Sequence, residues 1–190
     1  MKKEDDALLI AKIKAGDTLA CRMLVEKHKD VSFSLACSIL KDEHLAHDAL
    51  QEAFLRVFTN LRHFRFESSF STWLYRIVVN TSYTLRDKSK KEYFEEIDST
   101  TQETAQDATS GWEVLLSNER KIYIQRALAM LKAEEALVLR LFYLCDLGIS
   151  DIEEITELSQ TNIKVLLHRG RKNMFILLEK LAGDELRNLL

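Results

Sequence analysis

A chain of 190 residues that is 46% hydrophobic and 30% charged can bury one core or two small ones, which excludes a protein disordered throughout. Proline is absent and glycine occurs five times, so the turn vocabulary of sandwiches and barrels is missing and an all-α fold is expected. The net charge of -3 hides an asymmetry: Lys/Arg stand 16 to 12 against Asp/Glu in residues 1–91, none to eight in 92–119, and 11 to ten in 120–190.

The amino terminus, MKKEDDALLIAKIKAGD, lacks the apolar run of a signal peptide. No stretch approaches the roughly 18 apolar residues of a membrane span, so a cytoplasmic protein without membrane insertion is expected. Apolar residues recur at helical spacing through Leu8 to Ile13, Leu19 to Leu40, Leu45 to Leu61 and Trp73 to Leu85, which predicts four helices. Periodicity then lapses over Glu92 to Glu113, where Ser, Thr, Gln and acid replace the apolar residues; this is linker composition, too polar to repay its own ordering entropy. Trp112 is the exception there, a large apolar side chain expected to dock on a neighbouring surface. A second periodic block runs from about Asn118 to Leu181, broken near Leu147-Gly148 and Leu158-Ser159, and predicts four more helices. Cys21, Cys37 and Cys145 are odd in number and form no CxxC, so they read as buried thiols.

Three constellations carry function. In HDALQEAFLRVFTNLRHF, Asp48, Gln51 and Glu52 fall at i, i+3 and i+4 and project from one helix face, while Ala49, Phe54, Val57, Phe58 and Leu61 supply apolar surface. Such a patch suits a cationic protein surface, or is a solvated face. His44, His47, Asp48 and Glu52 read as helix-surface residues rather than metal ligands, since nothing resembles HExxH.

In FRFESSFSTWLYRIVVNTSYTLRDKSKK, Phe64, Phe66, Phe70, Trp73, Tyr75 and Tyr83 interleave with cations, seven basic residues to two acidic over 62–91. Rings on which bases stack, among cations that hold phosphates, are what single-stranded nucleic acid requires. Helical spacing assigns Trp73, Leu74, Ile77 and Val78 to packing, leaving the loop from Arg62 to Ser71 and the polar side of the helix for contact.

The last segment, DIEEITELSQTNIKVLLHRGRKNMFILLEKL, has the length and pattern of a helix-turn-helix. Ile152, Ile155 and Leu158 are expected to pack against Ile163 and Leu167, with Ser159 or Thr161 as the second helix's N-cap. Its basic residues, Lys164, His168, Arg169, Arg171 and Lys172, suit a major groove and its flanking phosphates. Asp151, Glu153, Glu154 and Glu157 lie on the first helix and the turn after it; the alternative is an amphipathic hairpin with a solvated basic face.

Taken in order, DALQEAFLRVF, FxxxxxFSTWLYRIVVN and NIKVLLHRGRK resemble sigma factors of the extracytoplasmic-function (ECF) class within the sigma-70 family, over most of Leu8 to Leu181. The resemblance implies a two-domain all-α protein: a sigma region 2-like domain over 1–91, an acidic flexible linker over 92–117, and a sigma region 4-like helix-turn-helix domain over 118–190. It implies a transcription initiation factor without chemistry, cofactor or metal. Its partners would be core RNA polymerase, through the clamp coiled coil of the largest subunit and the flap region, promoter DNA, and an anti-sigma factor. Asp48, Gln51, Glu52 and Phe54 would meet the polymerase. Arg62, Phe64, Arg65, Phe66, Arg76 and Asn80 would hold the separated strand of the minus-ten element. Asn162, Lys164, Val165, His168, Arg169, Arg171 and Lys172 would read the minus-thirty-five element. The chain departs from the family pattern in having Glu153 and Glu157 where Ala and Gly are usual, Leu166 for a common Arg, and Lys132 for a usual Pro. The rival readings are a helix-turn-helix regulator, a degenerate sigma-like protein-interaction module, and a metal-dependent helical enzyme.

Overall fold

Short polar side chains set where the helices begin. Asp17 Oδ1 accepts the backbone N–H groups of Leu19 (2.9 Å) and Ala20 (3.2 Å), and Asp42 Oδ1 accepts that of Leu45 (2.9 Å); each satisfies donors that the first turn leaves open. The computed structural model describes residues 2–96 and 117–188, with side chains over 5–90 and 121–181. The helices are α1 (Lys2–Lys14), α2 (Thr18–Leu40), α3 (Glu43–Asn60), α4 (Phe70–Glu96), α5 (Ser117–Met130), α6 (Ala133–Leu139), α7 (Ile149–Thr156) and α8 (Gln160–Asn188). A 3-10 turn, Leu61–His63, follows α3, and a π turn, Arg140–Leu144, follows α6. Among the described residues there is no strand, and no helix is long and apolar enough to cross a membrane.

Among the described residues four helices lie on each side of the acidic segment, as the periodicity predicts. Helix α4 runs on to Glu96, while residues 97–116, including Trp112, lie outside the described residues. In the first half α2, α3 and α4 pack on one another around Leu24, Leu35, Val57, Leu74 and Val78, and α1 lies on α2. In the second half α6 and α8 pack closely. A Cβ added to Gly170 would stand 3.1 Å from Leu139 Cδ1 and 3.5 Å from Glu135 Cβ, so any side chain there requires Leu139 to give by a few tenths of an ångström. Lys132, at the N-cap of α6, holds φ -58, a value that proline would also hold.

The two halves share one seam. Helix α7 packs on α4 and α6 packs on α2, and the buried apolar residues of both halves form one continuous core. Arg140, 5% exposed, donates to Ser34 Oγ of α2 and, at 3.3 Å, to Gln125 Oε1 of α5, while Lys41 Nζ donates to the Ala129 carbonyl at 2.9 Å. The three cysteines are half-buried rather than fully buried, and no disulfide joins them. Burial pushes the Cys37 thiol up to about 11 against the opposing pull of Arg140.

Candidate functional site

Helix α3 presents Asp48 and Gln51 to solvent, and Glu52 beside them pairs with Arg56 one turn on. Phe54, expected with this group, is 7% exposed and lies in the core, stacked near Phe58 at 6.3 Å. The apolar residue the face does present is Leu55, 69% exposed, at i+3 from Glu52 and i+4 from Gln51. Sequence reasoning missed it, although the stripe 48, 51, 52, 55 could have disclosed it.

The second constellation converges on one cleft. Ser69 starts α4, its Oγ accepting the Thr72 N–H at 3.1 Å, and the chain before it folds back over the helix. Phe64, 7% exposed, is the hub of a ring cluster, with centroids 4.7 Å from Phe66, 4.9 Å from Trp73 and 5.9 Å from Phe70. Phe64 therefore supports the loop largely from within, with its remaining exposed surface on that cleft. Phe66 is the ring left in solvent, 52% exposed, and it holds φ 61, a left-handed conformation that costs a non-glycine residue about 1 kcal/mol or more. Lys14 of α1 reaches this ring at 5.6 Å and the Phe64 carbonyl at 3.4 Å, a contact across 50 residues that no local signal discloses. Beside the rings lies a cleft of about 530 Å³ lined by His63, Phe64, Arg65, Glu67, Ser68, Trp73 and Arg76, and closed on one side by Glu154 of α7. Arg62, Arg65, Arg76 and Asn80 are all exposed, Asn80 one turn beyond Arg76 on α4.

The third constellation is a helix-turn-helix. Ile152, Ile155, Ile163 and Leu167 are buried together with Leu166, and Ser159 is the N-cap, its Oγ accepting the Asn162 N–H at 3.3 Å. Leu166, where the family often has Arg, is 4% exposed and belongs to this core. Asn162, Lys164, Val165, His168, Arg169, Arg171 and Lys172 are exposed on the opposite arc of α8. Two of these cations are already engaged. Arg169 Nη2 lies 3.3 Å from Glu135 Oε1, an ion pair without hydrogen-bond alignment, while Asn173 Nδ2 donates to Glu135 Oε2 at 2.8 Å. Arg171 Nε donates to the Tyr143 hydroxyl at 2.7 Å, and its guanidinium lies 5.8 Å and 5.6 Å from the Phe142 and Tyr143 rings. Among the described residues no group of His, Cys, Asp and Glu is arranged to hold a metal ion.

Matches to sigma-70 region 2 over residues 24–92 and to sigma-70 region 4 over residues 121–174 cover both halves of this geometry. The chain is 30% identical over 170 residues to the ECF RNA polymerase sigma factor SigW of Bacillus subtilis (strain 168), covering 86% of this chain and 91% of that protein. It belongs to the ECF RNA polymerase sigma factors. A 37% identity over 82 residues to the RNA polymerase sigma-H factor of Pseudomonas aeruginosa spans 43% of this sigma factor and 42% of that one. Two solved structures share its fold at 19% identity. One is the sigma factor RpoE in complex with the anti-sigma factor NepR from Bartonella quintana (TM-score 0.66; 83% of this chain, 96% of that one), and the other is CnrH in complex with the cytosolic domain of CnrY (TM-score 0.63; 93% and 98%). This ECF sigma factor binds core RNA polymerase and directs promoter-specific initiation of transcription. A regulator that only reads duplex DNA has no use for the region 2 half, so that rival is not favoured.

Proposed function

We propose that the sigma factor divides its work between a region 2-like domain at 1–91 and a region 4-like domain at 118–190, joined by the acidic segment 92–117, and that it performs no chemistry of its own. In the cytoplasm, the α3 face of Asp48, Gln51, Glu52 and Leu55 docks on the clamp coiled coil of the polymerase largest subunit, acid against a cationic surface with one apolar anchor. The second domain meets the flap region of the same enzyme. An anti-sigma factor, as in the complexes of its two fold relatives, holds it inactive until a signal arrives.

The observation that carries strand capture is the cleft beside the exposed Phe66 ring, with Arg62, Arg65 and Arg76 around it and Asn80 one turn further along α4. A base can stack on Phe66 while the arginines hold the flanking phosphates. On α8, Lys164, His168 and Lys172 supply outward cations and Val165, 47% exposed, an apolar contact of the kind that thymine methyls accept. Asn162 lies at the helix start, and Arg169 and Arg171 orient the helix through Glu135 and Tyr143. The test is Phe66→Ala in the holoenzyme. Stacking is worth about 1 to 3 kcal/mol per base, so permanganate reactivity of the opened strand should fall while closed-complex binding stays near wild type. Wild-type reactivity would remove the loop from strand capture.

A further inference from the structure

We propose that Tyr143 of the π turn and Arg171 of α8 together clamp one phosphate of duplex DNA, so that Arg171 fixes the protein's position on the duplex and reads no base. This rests on the reading of α8 as the upstream-element helix. The turn Arg140–Leu144 is closed by the Cys145 N–H donating to the Arg140 carbonyl at 3.0 Å, one residue wider than an α turn, a distortion that recurs at functional sites. Along it Leu141 is buried, Phe142 is half-buried and Tyr143 is 57% exposed. The turn therefore carries a large polar-tipped ring to the surface beside the basic arc of α8.

Two features assign this pair to a phosphate. The first is how Arg171 is held. Its Nε donates to the Tyr143 hydroxyl at 2.7 Å, and its guanidinium lies 5.6 Å and 5.8 Å from the Tyr143 and Phe142 rings, which meet edge to face at 5.0 Å. A guanidinium fixed in this way has little rotamer freedom left to lose on binding. Its Nη protons stay available, and a hydroxyl that accepts one bond keeps its own proton to donate, so both side chains can meet the same anionic oxygens. The second feature is place. Recognition helices offer their N-terminal residues to base edges. Arg171 stands eleven residues after Gln160, the first residue of α8. At 1.5 Å per residue that is about 16 Å along the axis, and the major groove is roughly 12 Å wide. Asn162, Lys164, Val165 and His168 thus fall over the groove, while Arg171 reaches the phosphates that wall it.

The experiment measures closed-complex binding by the reconstituted holoenzyme over a series of salt concentrations. Two duplexes are used: a promoter that it transcribes, and the same promoter with its upstream element substituted. Tyr143→Phe keeps the ring and removes the hydroxyl, so it should weaken binding to both duplexes by about three- to tenfold. Arg171→Gln should weaken both by more, and should make the slope of log affinity against log salt shallower by about 0.9, the share of one phosphate. The preference for the matched duplex stays at wild type in each variant. Because the two side chains act together, Tyr143→Phe should cost much less once Arg171 is already Gln. A preference that falls with Arg171→Gln makes Arg171 a reader of bases and overturns the proposal; so does wild-type affinity in Tyr143→Phe, or a wild-type salt slope in Arg171→Gln. His168→Ala in the same assay then assigns the fault: a preference that falls leaves α8 the reader and only the clamp wrong, and an unchanged preference sinks the α8 reading as well.

Discussion

Asp6 shows how one carboxylate can tie a terminal helix to the core. It is 6% exposed, accepts from Lys27 Nζ at 2.7 Å and lies 3.2 Å from Nε2 of the equally buried His28. The His28 ring in turn meets the edges of Phe70 (5.4 Å) and Tyr75 (6.4 Å), so the contact runs from α1 to the start of α4. Burial alone would raise the Asp6 carboxyl, but the bonds from His28 and Lys27 outweigh it and hold it below its ordinary value of 3.8. A carboxyl depressed on folding contributes stability that is present above that ordinary value and is lost as pH falls through the folded value. Asp6→Asn should therefore cost about 1 to 3 kcal/mol at neutral pH, and the gap to wild type in urea unfolding should narrow as the pH is taken below 3.8. A gap independent of pH would show that Asp6 acts by packing alone.

Among the elements, α8 is placed by a close contact with α6. The recognition arc faces outward because Ile163, Leu166, Leu167 and Gly170 face inward, and Gly170 lets α8 approach α6 until Leu139 fills the space where a side chain would be. Glu135 reinforces this contact from within: it is 1% exposed and held by Asn173 and Arg169. Gly170→Val adds volume where none is free, so a loss of about 1 to 3 kcal/mol from overpacking is expected. Thermal unfolding followed by circular dichroism checks it, and an unchanged midpoint would mean that Leu139 moves aside at no cost. The shape of the residue pattern in α8 was legible in the sequence, since apolar and basic positions separate at helical spacing. The engagement of Arg169 and Arg171 was not, because Glu135 and Tyr143 lie 34 and 28 residues before them and no periodicity links such positions.

At the scale of the molecule, the seam between the halves carries a cost beside its apolar contacts. Arg140 is buried at 5% exposure, its Nε has no hydrogen-bond partner, and among the described residues no carboxylate is paired with it. Burial lowers its pKa, and it joins burial in lowering that of Lys41 nearby. A desolvated cation without a counter-charge opposes closure of the seam. Arg140→Met removes the charge and keeps an unbranched apolar stem in place of the arginine's, while Ser34 can turn its hydroxyl to its own helix. The full chain should then melt at higher temperature, by an amount equivalent to about 1 kcal/mol or more, and a lower midpoint would mean that the bonds to Ser34 and Gln125 outweigh the desolvation.

The sequence by itself determined the helical class, the helices of the described residues and their breaks, the helix-turn-helix with a cap at Ser159 or Thr161, and the family, because helical periodicity, caps and local motifs are all written within a few turns of chain. It also located the cations and rings of the cleft beside Phe66. Tertiary structure decided which of them face solvent. Phe64 and Phe66 are two residues apart in a segment without period, and only the fold of the loop over α4 buries one and exposes the other. On α3 the same decision buries Phe54 and exposes its neighbour Leu55. The meeting of Arg76 with Glu157 likewise needed coordinates: each lies in its own correctly read helix or turn, but the charge of one acts on the other only because α7 rests on α4, and that packing is set by apolar surfaces far apart in the chain.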